Sequence, residues 1–531
     1  MNSQQKKFGS EFLAQACRFA REKGADSLSL AKLQTFSAKK SGLSTEKAST
    51  PTEKARFLSK THSKTHPSDD DLALSPEAAA QFRKPANFVK PADFVPDFDV
   101  IVVGAGIAGS VAAIELARGG YNVAIIERGQ MPGEKNLSGG IFYSRVIEQV
   151  FPNFLREAPV ERKITRNVIS FLNQDSHLNL DYWDQRFAKS VNAVSVLRAK
   201  LDPWLAEQAE AAGAMLMPGV KVDGLLHTEA GETCGIIADG EELTAHIVIA
   251  ADGVNSFIAA DAGLRPKQPN QHLAVGVKSV YKLPAEKIEE RFQLRARETV
   301  ADLPEGTAYA VIGDATQGVA GGGFLYTNAE TISVGVVLRL DDLQAKGLSS
   351  SEIHDHFLQH PMISQYLADA EAIEYGCHLT IENGPEMTQQ PISAPGLLIV
   401  GDAAGFTLNT GFTIRGMDLA VQSSLCAVQA ADAALQANNF SAAAMGKYRE
   451  EIEKSWLGAD LRNSRRLPQF LENPRLYEKY GQVLADILHG VYSVELQPRR
   501  PFVKIARESL QHAGIKLAAV MRDGLAAMRD L

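Results

Sequence analysis

Phe98-Asp-Val-Ile-Val-Val-Gly104-Ala-Gly106-Ile-Ala-Gly109 is the stretch whose reading decides the fold. The run from Phe98 to Val103 is apolar and β-branched, suited to a strand buried on both faces, and the glycines after it are spaced G-x-G-x-x-G. From Ile107 to Arg118 apolar and small residues recur at helical intervals, and Asn122 to Glu127 returns to strand texture. The unit is therefore β-α-β in about 30 residues. In that setting Gly104 permits a tight turn, Gly106 lets backbone approach a pyrophosphate, and Gly109 allows close helix–strand packing. Amide N–H groups and the helix dipole then hold the anion without a lysine. Glu127 closes the second strand where a carboxylate accepts hydrogen bonds from a ribose hydroxyl. The glycine spacing alone is weak evidence; with strand, helix and Glu in register, a dinucleotide site is expected.

Outward from this unit, the chain has 531 residues, 45% hydrophobic and 22% charged, enough for two or three domains with large cores. The net charge is −8, yet residues 1–68 carry 13 Lys and Arg against 5 Asp and Glu. Residues 1–96 are rich in Ser, Thr, Lys and Ala and read as a basic, disordered extension, with a targeting or partner-binding role left open. Cys17, Cys234, Cys377 and Cys426 lie far apart, so zinc and iron–sulfur spacings are absent and no metal site is expected. No stretch is long and apolar enough to span a bilayer, and no secretory signal is evident, so a cytoplasmic location is expected.

The later segments choose between dinucleotides. Leu397-Leu-Ile-Val400 is a second buried strand, followed by Gly401-Asp402-Ala-Ala-Gly405 and a helix starting near Gly416. An Asp after such a strand can bond a ribityl hydroxyl, and the helix N-terminus can face a flavin pyrimidine and favour negative charge there. An NAD enzyme has no need of that segment, so FAD is the expected cofactor. Alternating patterns from about Lys163 to Gln185 and from Leu273 to Leu338 suggest antiparallel strands. From about Ala420 the texture is helical, with Pro468, Pro474 and Pro498 marking breaks.

At this point the chain resembles the FixC group of flavoproteins, relatives of electron-transfer-flavoprotein:quinone oxidoreductase and, more distantly, of geranylgeranyl reductases. The resemblance covers roughly Asp97 to Glu495 and rests on Lys135-Asn-Leu-Ser-Gly-Gly140, His272-Leu-Ala-Val-Gly-Val-Lys278, Gly321-Gly-Gly-Phe-Leu-Tyr326 and Gly401-Asp-Ala-Ala-Gly-Phe-Thr-Leu-Asn-Thr-Gly-Phe-Thr-Ile-Arg-Gly-Met417. It implies that Gly104, Ala105, Gly106, Ala108 and Gly109 neighbour the pyrophosphate, that Glu127 takes the adenosine ribose, and that Arg128 lies beside the adenine. It places Arg198 near FAD, an ordinary helix-surface arginine being the other reading, and makes Asp252-Gly253 a support for cofactor and domain packing. Gly401, Asp402 and Gly405 belong to the later cofactor segment. Around the isoalloxazine it points to Lys135, Asn136, Ser138, Gly139, Gly140 and the Asn409-Thr410-Gly411 loop, with Lys135, Asn409 and Arg415 as possible tuners of the flavin; Arg415 could equally cap the helix that follows. No general base is assigned, because outer-sphere electron transfer needs none.

The implied architecture is α/β: a Rossmann-like FAD-binding domain of the glutathione-reductase and hydroxylase type, made from residues 97–165, 190–265 and 385–440. An inserted antiparallel sheet domain for substrate or acceptor covers 166–189 and 266–384, and a helical region covers 441–531. The implied function is transfer of electrons from an electron-transfer flavoprotein through FAD to quinone or to a separate ferredoxin-like iron–sulfur protein. An intrinsic cluster is excluded, since no cysteine follows Cys426.

Two departures bear on this. Family members often read His-x-x-Pro-Glu-Gly-Gly where this chain has His378-Leu-Thr-Ile-Glu-Asn-Gly384, so that loop is expected to differ. A flavin hydroxylase often carries Arg after an Asp-Gly-x-x-Ser run, whereas Asp252-Gly-Val-Asn-Ser-Phe-Ile-Ala259 has none. That leaves an NAD(P)H-dependent isoprenoid reductase or hydroxylase as the alternative enzyme, and a non-catalytic flavin-binding assembly component as the alternative of another class. The tail from Arg499 to Leu531 carries 7 Lys and Arg against 3 Asp and Glu. It suits a packed amphipathic helix, an anionic membrane at the inner face, or an acidic redox partner; nucleic acid is not expected.

Overall fold

The computed structural model describes residues 87–88, 95–134, 139–266, 268–295, 302–411 and 413–530. Most of the expected extension 1–96 lies outside them, as do Lys135, Asn136 and Ser138. Within that extension Asn87–Phe88 form a short strand parallel to Val222–Thr228, an element that composition did not suggest.

The quoted stretch folds as its texture dictates. Phe98–Val103 is a buried strand, Ile107–Arg118 a helix and Val123–Glu127 the next strand. Phe98–Val103 lies parallel to Glu241–Ala250 on one side and to Val123–Glu127 on the other; Met215–Pro218 and Leu397–Ile399 extend the parallel core at its two ends. Helices Ile107–Arg118, Arg198–Ala212 and Met417–Gln436 pack against this sheet, and their small residues, such as Ala112, Ala113, Ala427 and Ala431, let the backbones approach.

A second sheet of nine strands stands beside the first, in the order Glu371–Ile381, Leu273–Lys282, Thr331–Arg339, Gly321–Thr327, Glu305–Gly313, Val160–Leu172, Ala193–Val196 and Gly140–Tyr143, with His177–Trp183 on Val160–Leu172. Pairing is antiparallel except between Glu305–Gly313 and Val160–Leu172, which run parallel. Two short strands, Gly140–Tyr143 and Ala193–Val196, join this sheet although their sequence segments were assigned to the nucleotide-binding unit. The two pair with each other, and Ala193–Val196 also pairs with Val160–Leu172, which draws both into the second sheet.

Period-two alternation fixes which face of this sheet does what. Val275, Val277 and Leu325 enter a second hydrophobic core with Ile353 and Phe357, whereas Gly276, Lys278, Phe324 and Tyr326 line a cavity on the opposite face. Seven helices follow from Ala442 to Asp530, and Pro468 and Pro474 sit in first helical turns, where a missing N–H costs nothing.

The last helix reverses an expectation. Leu517, Met521, Leu525 and Met528 form its apolar stripe, and all four are more than half exposed. The face turned inward carries Asp523 instead, which pairs with Arg475 at 2.7 Å and accepts from the Tyr480 hydroxyl at 2.5 Å. In the tail, Phe502–His512 packs through Ile505 and Ser509, whereas the last helix turns its apolar side outward. Among the described residues no helix is long and apolar enough to cross a membrane.

Candidate functional site

The cavity between the two sheets measures about 1530 Å³, and its lining includes Gly104 and Tyr477. At the nucleotide end Gly104 has φ +103°, and a Cβ there would lie 2.5 Å from the Ala251 carbonyl oxygen; at Gly109 a Cβ would lie 1.9 Å from the Gly104 oxygen. Only glycine fits either place. Gly106 differs, since its added Cβ meets nothing nearer than the Arg198 guanidinium at 3.6 Å. No side chain caps the helix that begins there, so its N-terminal amides are open to an anion.

Each remaining residue expected here has a definite setting. Glu127 is oriented by two backbone amides, Ala105 N to Oε2 at 2.9 Å and Gly129 N to Oε1 at 2.6 Å, which leaves further lone pairs for a ribose. Arg128 is exposed at the rim. Arg198 makes a fork to the buried Asp202, with two contacts of 2.6 Å, and stands beside Gly106. It is part of the cavity wall rather than of the outer helix surface. Asp252 accepts from Ile258 N at 3.0 Å through Oδ2, while its buried Oδ1 has no partner; burial pushes its pKa up to about 6. An orphaned buried oxygen in a nucleotide cavity is a place for a ligand hydroxyl. Gly253 beside it has φ +79°.

The later cofactor segment is braced from this same side. Ser256 Oγ donates to Ala403 O at 2.6 Å and Arg265 Nη2 to Ala404 O at 2.7 Å, holding the turn Gly401–Ala404. Gly401 and Gly405 both have positive φ. Asp402 lines the cavity and accepts from Thr407 Oγ1 at 3.3 Å; burial raises its pKa, and Arg198 opposes the rise. Helix Met417–Gln436 begins at Gly416, also on the cavity and without a side-chain cap. Thus Gly104, Gly106, Ala108, Glu127, Arg128, Gly139, Gly140, Arg198, Asp252, Gly253, Asp402, Asn409 and Gly411 share one cavity. Ala105, Gly109, Gly401, Gly405 and Thr410 are not part of its lining.

Arg415 is placed differently. Its guanidinium binds Asp418 at 2.6 and 2.8 Å and Asp460 at 2.8 Å, and lies over the rings of Tyr143 and Trp456. Two carboxylates share its charge, and it fastens the helix start to the C-terminal region.

Two ionisable residues on the cavity had not been singled out. Lys278 donates from Nζ to Gly139 O at 2.6 Å, and burial pushes its pKa down to about 7. A lysine at an inward position of an otherwise apolar strand was the available signal. Glu382 accepts from Asn409 Nδ2 at 3.1 Å, and burial pushes its pKa up to about 7.

An open pyrophosphate cradle, an oriented ribose carboxylate, an orphaned Asp252 oxygen and a second uncapped helix start together fit FAD. Comparison with known proteins agrees. Residues 97–299 match the model of the FAD binding domain. The chain is 41% identical over 429 residues to the probable electron transfer flavoprotein-quinone oxidoreductase YdiS of Escherichia coli (strain K12), covering 81% of this chain and 97% of that protein. It is 40% identical over 430 residues to Protein FixC of Salmonella typhi, with the same coverage. Among solved structures, a geranylgeranyl bacteriochlorophyll reductase-like protein from Thermoplasma acidophilum aligns over 80% of this chain and 98% of its own, at TM-score 0.59 and 20% identity. The flavin-dependent brominase Bmp2 aligns over 78% and 99%, at TM-score 0.51 and 14% identity. These last two show the shared fold alone.

Proposed function

The chain belongs to the family of FixC and the electron transfer flavoprotein-quinone oxidoreductases and is an FAD-dependent oxidoreductase; from this premise we propose that it takes electrons from an electron-transfer flavoprotein and delivers them through FAD to a quinone. Bound FAD supplies the redox chemistry, and the protein supplies orientation and electrostatics. Glu127, Arg198 and Asp252 would hold the adenosine and pyrophosphate portions, and Asp402 with the Asn409-Thr410-Gly411 loop would flank the ribityl and ring portions.

One observation carries the choice of acceptor. The cavity lining includes Phe324, Phe470, Leu471 and Leu476 with Tyr326 and Tyr477, and we take this apolar share of the wall as the acceptor compartment. Apolar walls with few polar groups suit a hydrophobic, planar acceptor. The outward stripe Leu517, Met521, Leu525 and Met528, with Phe502 and Val503 exposed as well, is consistent with collection of that acceptor at an anionic membrane surface. A ferredoxin-like iron–sulfur partner, the other acceptor implied by the FixC resemblance, would need no such compartment.

The same compartment favours one second reading, reduction of an isoprenoid double bond with NADPH as donor. Anaerobic spectroscopy separates the two. Reduced electron-transfer flavoprotein is expected to bleach the flavin bands and a quinone analogue to restore them; bleaching by NADPH alone would transfer the assignment to the reductase.

A further inference from the structure

Where the flavin-side loop meets the C-terminal helices, the cavity wall holds one carboxyl group with an unusual set of neighbours. Glu382 ends the alternating strand Glu371–Ile381, and its amide is tied back to His272 O at 2.9 Å, which fixes the direction of the side chain. Its carboxyl accepts one hydrogen bond, from the neutral amide Asn409 Nδ2 at 3.1 Å. Asn409 Oδ1 in turn accepts from Gly411 N at 2.9 Å, so the carboxyl is linked through one side chain to the loop at the flavin ring. On the other side stands Tyr477, whose hydroxyl donates to Leu471 O at 2.6 Å; both residues wall the apolar compartment.

Charges of both signs act on Glu382. Arg339 at the end of its strand favours the carboxylate and Asp341 in the next turn opposes it, while Tyr477 faces it as a neutral phenol. No salt bridge holds Glu382 among the described ion pairs, in contrast to Arg339, which binds Asp341 at 2.7 Å. Burial therefore dominates and holds the acid partly protonated near neutrality. A buried carboxyl without a counter-ion usually costs stability, and its place on a redox cavity gives that cost a use.

We propose that Glu382 is the catalytic acid that protonates the reduced acceptor in the apolar compartment. The proposal rests on the quinone reading and deepens it. Reduction of a quinone consumes two electrons, drawn from the cofactor, and two protons, and converts two C=O groups to C–OH. Glu382 breaks its O–H bond and gives that proton to one carbonyl oxygen; the second proton comes from water. The carboxylate left behind is held by Asn409 Nδ2–H and the field of Arg339, and regains a proton from water.

The test uses holoenzyme in which Glu382→Gln preserves shape and hydrogen bonding but removes the acid. FAD content and the flavin absorption bands are expected to match wild type. With reduced electron-transfer flavoprotein and a water-soluble quinone, wild-type kcat should decline above about pH 7. The variant should show kcat about 100-fold lower with no such decline, KM changing little. Infrared difference spectra across the same pH range should show a carboxylic C=O band in wild type that is missing in the variant. Glu382→Asp, an acid on a shorter stem, should restore part of kcat and the pH limb. Equal kcat and equal pH profiles in wild type and Glu382→Gln overturn the proposal while the quinone reading stands, as does a wild-type spectrum without a titrating carboxyl. Wild type that reduces ferricyanide but no quinone overturns the acceptor reading itself, and the proposal with it.

Discussion

Arg198 shares its guanidinium fork with Asp202, whose carboxylate has no solvent exposure. Arg198→Ala removes the guanidinium fork from a buried carboxylate and should cost up to about 3–5 kcal/mol; urea titration of the apoprotein should show it, with weaker FAD binding alongside. A midpoint equal to wild type would mean that the fork adds nothing to the stability of the apoprotein. Lys278 sets a pH dependence whose sign follows from its burial. An unfolded lysine titrates at about 10.4, whereas here the group titrates at about 7, so between those values the folded apoprotein has released a proton that the unfolded chain keeps. Its contribution to apoprotein stability therefore rises with pH through that window. A pyrophosphate or a reduced flavin favours the ammonium, so FAD binding should take up a proton and weaken by up to about tenfold per pH unit above neutrality. Flavin fluorescence titrations should show this slope in wild type and a flat response in Lys278→Met.

At the scale of elements, the unit Phe98–Glu127 was legible nearly to the residue because its signals are local: glycines, an apolar run and a terminal carboxylate. Gly140–Tyr143 and Ala193–Val196 were not, since a four-residue run does not state which sheet it joins. Lys278 and Glu382 were missed for a related reason: their altered acidity comes from walls contributed by distant segments. The ion pairs of Arg415 were hidden in the same way, since its partner Asp460 lies 45 residues away on another helix. The last helix shows the limit of periodicity, which reveals an apolar stripe but not the side it faces. There, Met521→Glu with Leu525→Glu should abolish flotation with anionic vesicles. Because both side chains are solvent-exposed, stability should move by no more than about 0.5 kcal/mol for each. Undiminished flotation would place the membrane contact elsewhere.

Across the whole molecule, the cavity is lined from distant stretches that include residues around 104–140, 198–253 and 401–411, so FAD bound there would tie the two sheets together. Removing it should lower stability by about 2.7 kcal/mol relative to protein held at 100 times its Kd in free FAD; thermal melts with and without added FAD measure this. The strand Leu397–Ile399 beside Glu241–Ala250 also has a consequence in time. Nearly 300 residues separate Gly104 from Asp402, and a ribosome adding about 5–20 residues per second needs roughly 15 to 60 s to make them. Throughout that interval the glycine turn has emerged without its closing strand and helix. Cofactor capture thus falls at the end of biogenesis, and a nascent chain stalled midway has a cradle with nothing yet to hold the ring.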